Sequence, residues 1–397
     1  MSEQTPLPAL TPLAALQSGC WFKLICGASY QHIPVIRNLA LAYALAGADC
    51  IDAAADPAVV RVIREALDTA LILKESSSKS ALKRPWLMVS INDGDDPHFR
   101  KAAFNPDHCP TDCPRPCIAT CPTDAIAFDV ESTSGIVSDR CYGCGRCIAV
   151  CPPQIIEAKS HITSTGKLLP NIVETIDAIE IHTQVGRQQQ FSQLIQVLRP
   201  YFPRLKLLSV SCPEGKGVVD YLWQLYRALG PLPIPLIWQT DGRPMSGDIG
   251  AGTTHATLRY GQQMLADGPP GYVQLAGGTN QQTVPKLLGL QGWPANKDAD
   301  SSLQPLPKTP GAMSGAVFGG VAYGSYARKL LQPIFTSLNF LEPVADFSLG
   351  GDMPLEHCPD LLDQAVQHCR TLIAPLKGWH LKDMHRLPPL SPRQNFA

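Results

Sequence analysis

Residues 48–73 read ADCIDAAADPAVVRVIREALDTALIL and contain the unit on which the rest of the chain is built. The first part, residues 48–56, predicts a strand followed by a loop. From Pro57 onward the apolar residues recur at helical spacing, and proline suits the first turn of a helix. A strand followed directly by an amphipathic helix is a βα unit, which is typical of a parallel sheet.

The same alternation extends in both directions from this unit. Upstream, KLICGAS (23–29) predicts a strand and residues 33–46 predict a helix, and downstream PWLMVSIN (85–92) predicts a third strand. After an interruption, five more strands are predicted at 178–183, 205–211, 234–240, 271–278 and 316–320, with helices at 187–199, 217–229, 253–266, 283–288 and in a segment ending at Leu331. About eight βα units favour an α/β fold of the (β/α)8 barrel type, with an open doubly wound parallel sheet as the alternative.

The interruption divides the chain into four segments. Residues 1–97 and 167–345 are predicted to form the barrel, and residues 98–166 form an inserted, cysteine-rich, ferredoxin-like α+β module. Residues 346–397 hold one more amphipathic helix and a proline-rich tail.

Composition limits the classes of partner. The 397 residues are 45% hydrophobic and 17% charged, with a formal net charge of -1. A nearly neutral chain has no overall field to attract nucleic acid or an anionic membrane. The start of the sequence has no secretory signal pattern, and no apolar run is long enough to span a bilayer, so we expect a cytoplasmic protein without a membrane span.

Eight of the 14 cysteines lie between residues 109 and 151. The second half of this region has the spacing C-x2-C-x2-C-x3-C-P of bacterial ferredoxins, and its cysteines are Cys141, Cys144, Cys147 and Cys151. A cubane cluster needs converging thiolates, so three come from one tight loop. The fourth begins a short helix that leads away, and it reaches the neighbouring cluster.

The first half of the region has three residues in every interval, and its cysteines are Cys109, Cys113, Cys117 and Cys121. The two halves end alike, in CIATCPTDAIAF and CIAVCPPQIIEA, which indicates an internal duplication. We therefore predict two [4Fe-4S] clusters with crossed ligands. One would be held by Cys109, Cys113, Cys117 and Cys151, and the other by Cys141, Cys144, Cys147 and Cys121. Zinc or structural disulfides are the alternatives.

The stretches WFKLICGASYQHIPVIRNLALAYALAGADCIDAAADP (21–57) and VSINDGDDPHFRKAAF (89–104), followed by the paired cysteine motifs, resemble the cyanobacterial light-dependent period A (LdpA) family. The similarity runs over nearly the whole chain. The resemblance implies a redox-responsive input to the circadian clock, in which the clusters report the photosynthetic redox state. It also implies association with clock proteins, including an input histidine kinase.

Polar residues at the predicted strand ends would lie at the carboxyl-end mouth of a barrel, where such folds place their sites. They are Asp52, Asn92, Asp93, His182, Gln239 and Asp241. His182 could act as an acid, a base or a ligand, or it could be a structural residue. Cys26, Cys50 and Cys212 are expected to be packing residues, with an exposed, oxidisable thiol as the alternative for Cys212.

Glycine-rich segments accompany the last two predicted strands. They contain Gly277, Gly278 and Thr279 near the seventh strand and Gly319 and Gly320 near the eighth. In many barrels these two loops bind a phosphate of a ligand such as FMN, because glycine lets backbone N–H groups approach an anion. Simple turn glycines are the alternative.

Two functional hypotheses follow. In the first, the protein is a non-enzymatic redox sensor that signals through a protein partner. In the second, it is an iron-sulfur oxidoreductase whose barrel binds FMN or another phosphorylated ligand and exchanges electrons with the clusters. A plain electron carrier would leave most of the chain unexplained.

Overall fold

A computed structural model of the chain describes residues 10–26, 33–77, 83–94, 100–121, 124–128, 135–137, 141, 146–160, 165–242, 252–290, 315–339 and 353–378. The strands within these ranges are β1 (Trp21–Ile25), β2 (Cys50–Ala54), β3 (Trp86–Asn92), β4 (Arg100–Ala103), β5 (Ile126–Ala127), β6 (Gly135–Ile136), β7 (Glu157–Ser160), β8 (Ala178–His182), β9 (Leu207–Pro213), β10 (Leu236–Asp241), β11 (Gly271–Ala276) and β12 (Ala316–Tyr323).

The predicted barrel is confirmed. Eight parallel strands close in the order β1-β2-β3-β8-β9-β10-β11-β12, and β12 returns to pair with β1. Trp21, the first residue of β1, lies opposite Gly320 in β12. The sheet therefore has no free edge, and the alternative of an open doubly wound sheet is wrong.

Helices surround the barrel and follow each of its strands. The described helices are α1 (Pro12–Gln17), α2 (Ile33–Ala46), α3 (Pro57–Ser77), α4 (Pro116–Thr120), α5 (Arg146–Val150), α6 (Thr165–Ile172), α7 (Gln188–Leu198), α8 (Val218–Leu229), α9 (Thr254–Asp267), α10 (Thr283–Leu288), α11 (Ser325–Asn339) and α12 (Pro359–Leu376). Within the described ranges, none combines the length and hydropathy needed to cross a membrane.

The main apolar core lies between the strands and these helices. Alternate strand residues face outward, so Phe22 stacks on Tyr43 of α2 and on Tyr323 of β12, with ring centroids 5.9 and 5.1 Å apart. The carboxyl-terminal helix α12 packs against α2 and α11. Residues 359–376 are therefore part of the barrel's outer layer.

The amino-terminal end of the barrel is filled by apolar side chains. Trp21, Met88, Ile237 and Tyr272 point inward from the strand starts, and Leu16 of α1 packs on them from below. Helix α1 was not predicted from the proline-rich start of the chain, where Thr11 caps it and Pro12 opens it.

The cysteine-rich module is inserted between β3 and α6. Its first and last strands, β4 and β7, pair antiparallel, with Arg100 opposite Ser160. Strands β5 and β6 form a second antiparallel pair. Because β4 and β7 pair with each other, the module leaves and rejoins the barrel at one place.

Closure of the barrel depends on close backbone contact at Gly320. A Cβ on this residue would lie 2.0 Å from the carbonyl oxygen of Trp21. We expect Gly320→Ala to lower the free energy of unfolding by about 3 kcal/mol or more, because rigid backbone cannot yield.

The matched control is Gly315→Ala, since a Cβ at Gly315 meets nothing within 4 Å. Urea unfolding followed by tryptophan fluorescence should show a change within about 0.5 kcal/mol for this variant. Equal stability of the two variants would contradict the packing account.

Candidate metal centre and barrel interior

The two cysteine motifs fold as structural repeats. Helix α4 ends one residue before Cys121, and α5 ends one residue before Cys151. Three residues after each of these cysteines the backbone is left-handed, at Asp124 (φ 48°) and Gln154 (φ 55°). Their N–H groups donate to the carbonyls of Cys121 and Cys151 over 3.4 and 3.1 Å. The duplication visible in the sequence is thus a duplication of backbone conformation.

Electrostatic interactions connect four thiols from both motifs in the first group. Desolvation and the neighbouring Cys113 thiol raise the pKa of Cys109. Burial also raises the pKa of Cys117, and nearby Cys151 and Cys109 add to this effect. Cys151 therefore lies with the first motif, although it ends the second.

The second group is described in part. Cys121, Cys141 and Cys147 contribute to the same apolar core of the module, and the backbone N–H of Ala125 donates to the Cys121 sulfur over 3.2 Å. Cys144, like Gly143, Gly145 and Pro122, lies outside the described residues.

The residues of the first group fit an iron-sulfur cluster in two respects. Two of its donors, Cys117 and Cys151, are thiols in an apolar shell that includes Ala102, Ile126 and Ile156, and thiolates are the ligands of such clusters. Beside them the Nε of Arg115 is buried and has no hydrogen-bond partner within the described structure. A buried donor of this kind calls for an acceptor that the described residues do not supply.

The cysteine geometry also bears on the two alternatives to iron-sulfur clusters, which are structural disulfides and zinc. The 13 described cysteines are all free thiols, so the structure contains no disulfide among them. Among the same described residues, no three acidic, histidine or cysteine side chains are placed to hold one metal ion. A cubane spreads its four thiolates over four irons, so ligands of one cluster need not meet at a single ion.

A different polar group fills the middle of the barrel. Lys23 Nζ lies 2.5 Å from Glu180 Oε2 and 3.6 Å from Asp52 Oδ2, and all three side chains are buried. Burial opposes ionisation of Glu180, but Lys23, His182 and the hydroxyl of Ser209 together outweigh it and lower the pKa of that carboxyl. Burial raises the pKa of Asp52 to about 6, even though Lys23 acts in the opposite direction.

Most of the predicted mouth residues join this group. Asp52 accepts from Ser90 over 2.8 Å, Gln239 donates to Glu180 over 3.0 Å, and His182 Nε2 lies 3.3 Å from Glu180 Oε1. Asp241 accepts from the hydroxyl of Ser211, and burial raises its pKa to about 6. The remaining position, Asn92, ends β3 opposite His182.

Asp93 lies apart from this group. Its carboxylate accepts from Thr183 and, over 3.2 Å, from Arg187, in the layer between the barrel and its helices. Cys212 is a β9 residue that is buried on the outer face of the barrel, under the helices. Burial raises its pKa to about 12. The alternative of an exposed, oxidisable thiol at Cys212 is wrong. Cys26 and Cys50 are buried packing residues.

The structure places the two predicted glycine segments in different elements. Gly277, Gly278 and Thr279 follow β11 at the carboxyl end of the barrel, and Thr253 and Thr257 donate to the carbonyls of the two glycines. Gly319 and Gly320 lie inside β12, where close packing requires their lack of a side chain. The hydroxyl of Thr279 donates to the carbonyl of Ala322, also in β12, over 2.7 Å. The first segment is therefore a loop at the barrel mouth, whereas the second is part of a strand.

The chain matches known family models in two regions. Residues 172–375 match the model of the light dependent period A C-terminal domain, and residues 109–162 match the LdpA Fe-S cluster-binding domain. Light dependent period A of Synechococcus elongatus is 50% identical over 372 residues, which cover 94% of this chain and 95% of that protein. The chain belongs to the LdpA family. Residues 109–162 are therefore an iron-sulfur cluster-binding domain.

A second relative resembles the cysteine module alone. The polyferredoxin-like subunit of an aliphatic sulfonate oxidoreductase from Pyrococcus furiosus is 34% identical over 54 residues, which cover 13% of this chain and 31% of that protein. The similarity of this short segment agrees with the ferredoxin-like spacing of the second motif.

Sequence reasoning missed two members of the polar group in this LdpA-family barrel, Lys23 and Glu180. The signal was present, because Glu180 stands between Ile179 and Ile181 in a strand. When the flanking residues face the helices, the residue between them points into the barrel. The alternation of inward and outward residues along the strand would have placed the Glu180 carboxylate inside the barrel.

The raised pKa of Asp52 predicts a pH effect on stability. A carboxyl whose folded pKa lies near 6, above its unfolded value of 3.8, keeps its proton longer in the folded state, so stability falls as pH rises through this window. Between pH 5 and 7 Asp52 should contribute a fall of about 1 kcal/mol. Asp52→Asn should remove that part of the decline. The check is urea unfolding by tryptophan fluorescence at both pH values; an undiminished decline in the variant would contradict the account.

The crossed ligand assignment predicts which cysteine substitutions remove the same cluster. Cys117→Ser and Cys151→Ser, although in different motifs, should each remove the same EPR signal of the reduced protein, because both sulfurs belong to the first group. Cys147→Ser is the matched control from the second motif and should remove the other signal. If Cys151→Ser and Cys147→Ser abolish one common signal and Cys117→Ser the other, each motif holds its own cluster and crossing is wrong.

Proposed function

We propose that this protein is a redox sensor whose two [4Fe-4S] clusters pass the photosynthetic redox state to the circadian clock. Its partners would be clock proteins, including an input histidine kinase, and it would act in the cytoplasm. The family supplies the iron-sulfur domain, and the name of the Synechococcus elongatus relative, light dependent period A, supports a role linked to light.

One observation carries the proposal: thiols of both motifs converge on one place. Cys117 interacts with Cys109 of its own motif and with Cys151 of the other. Two such crossed groups would place two clusters in one small module, and neighbouring clusters are suited to accepting single electrons. Chemistry of this kind stores or reports electrons, and no substrate is needed.

A sensor also needs a route from the clusters to the rest of the molecule. Strand β4 offers one, because its successive residues face opposite sides. Ala102 packs into the apolar core around the cysteines. Its neighbour Lys101 forms an ion pair with Asp56 of the barrel, 2.8 Å long, and the side chains are only 5% and 2% exposed.

Asp56 connects this ion pair to a barrel helix. Its Oδ1 accepts from the backbone N–H groups of Ala58 and Val59, over 2.8 and 3.3 Å, in the first turn of α3. Asp56 is thus both a helix cap and the partner of Lys101. A change in the module core that moves β4 would therefore also move the start of α3.

The competing oxidoreductase hypothesis is less well supported. Its phosphate site required both glycine segments to be loops at the barrel mouth, and Gly319 and Gly320 lie within β12. Release of stoichiometric FMN from the anaerobically purified protein would favour this hypothesis over sensing alone.

The proposal predicts redox-dependent binding. The affinity of the purified input histidine kinase should differ by at least about fivefold between the oxidised and the dithionite-reduced protein, since a coupling below this size would transmit little. Lys101→Met should bring the two affinities together while the clusters remain. Anaerobic microscale thermophoresis measures both states.

Lys377→Met is the matched control. Lys377 forms an ion pair of similar burial with Asp49, at 2.5 Å, within the barrel and its outer helix. This variant should lose comparable stability and keep the redox dependence. Equal affinity in both redox states of the wild-type protein would refute the sensing role, and unchanged redox dependence in Lys101→Met would refute the route through β4.

A further inference from the structure

The side chain of Arg115 is the feature of the module that neither the ligand assignment nor the coupling route uses. It lies between Cys113 and Cys117 and directly precedes α4, in left-handed backbone with φ 50° and ψ 51°. The inference drawn from it rests on the proposed pair of clusters.

An arginine is not what this backbone favours. Left-handed conformation is unfavourable for residues with a Cβ, and glycine adopts it freely. Helices α4 and α5 start at residues 116 and 146, an offset of 30, and the residue at this offset from Arg115 is Gly145. The first motif therefore keeps a charged side chain at a position where its own repeat has glycine. Retained strain of this kind points to a role for the side chain.

The guanidinium is held in place on an aromatic platform. Its central carbon lies 3.9 Å from the ring centroid of Phe128, a cation–π contact. Phe128 in turn packs against Phe104, with ring centroids 5.7 Å apart. The charge is thereby fixed at the edge of the module core.

From this platform the guanidinium reaches a predicted cluster ligand. Its positive charge acts on the Cys109 thiol and opposes the rise of that thiol's pKa. Its Nε is buried and lacks a partner within the described structure. The guanidinium thus lies near a predicted ligand sulfur, and its Nε is left for an acceptor such as a cluster sulfide.

A fixed positive charge beside one cluster favours the reduced form of that cluster. Reduction adds one electron and breaks no bond, so the product is more negative by one charge. Arginine stays protonated at all accessible pH values, and hydrogen bonds to cluster sulfurs also raise the reduction potential.

We propose that Arg115 raises the reduction potential of the cluster held by Cys109, Cys113, Cys117 and Cys151 above that of the second cluster. The first electron delivered by a one-electron donor then resides on this cluster. Arg115 would in this way determine which of the two clusters is reduced first.

The test is an anaerobic redox titration of the full-length protein, followed by EPR, on wild type and Arg115→Gln. At a fixed applied potential, the ratio of reduced to oxidised first cluster should fall about tenfold in the variant, which is about 59 mV for a one-electron couple. The second cluster should titrate as before. The Cys151→Ser variant identifies which signal belongs to the first cluster.

Two further variants separate charge from structure. Arg115→Lys keeps the charge and should retain most of the wild-type potential. Lys159→Gln removes a positive charge from an exposed position of the same module, paired with Glu157, and should shift neither cluster.

Unchanged potentials in Arg115→Gln, or equal shifts of both clusters, would overturn the proposal. So would loss of half the iron and sulfide with an unchanged potential in the cluster that remains, because Arg115 would then be a structural residue. Wild-type protein without acid-labile sulfide would instead refute the cluster assignment on which the proposal rests.

Discussion

The proposed exchange of one cysteine between two motifs is the constraint on which the module depends. Cys151 ends the second motif but lies with Cys117 of the first. Such an exchange requires two copies of one short fold, so the helix, the terminal cysteine and the left-handed turn recur at Asp124 and Gln154. It also requires that the ends of the module meet, which the pairing of β4 with β7 provides. The insertion can then leave the barrel closed.

The barrel is a rigid framework whose interior contains buried charges, and burying charges costs free energy. Its outward-facing residues form the main apolar core, while Lys23, Glu180 and Asp52 are buried inside. Ion pairs in such places add little net stability, because desolvation offsets the attraction. Three carboxyls face one ammonium in this group when Asp241 is included, and the pKa values of Asp52 and Asp241 rise to about 6 as a result of burial. The mouth is thus the polar end of the barrel, and the apolar layer beneath Trp21 closes the other end.

The sequence predicted the barrel well, since every strand is a short apolar run and every following helix has its own periodicity. It failed where a contact between distant segments decides the outcome. Gly319 and Gly320 were expected to end the eighth strand beside a ligand loop, yet β12 continues to Tyr323 and the glycines allow it to meet β1. Cys212, beside a proline, is buried as expected, because strand alternation turns it outward under the helices.

The cysteine spacing predicts the ligand groups but carries no information about their surroundings. The three-residue intervals of the first motif gave no indication that Arg115 is left-handed or that Phe128 lies beneath it. Nor does any local pattern reveal that Lys101 and Asp56, far apart in the chain, form a buried ion pair. Such contacts depend on how the module sits on the barrel.

The central claim is that the crossed thiols hold two cubanes, and metal analysis of the anaerobically purified protein tests it most directly. The account predicts about eight irons and about eight acid-labile sulfides per chain, four of each for every cluster. Zinc without acid-labile sulfide, or iron and sulfide sufficient for one cluster alone, would contradict it.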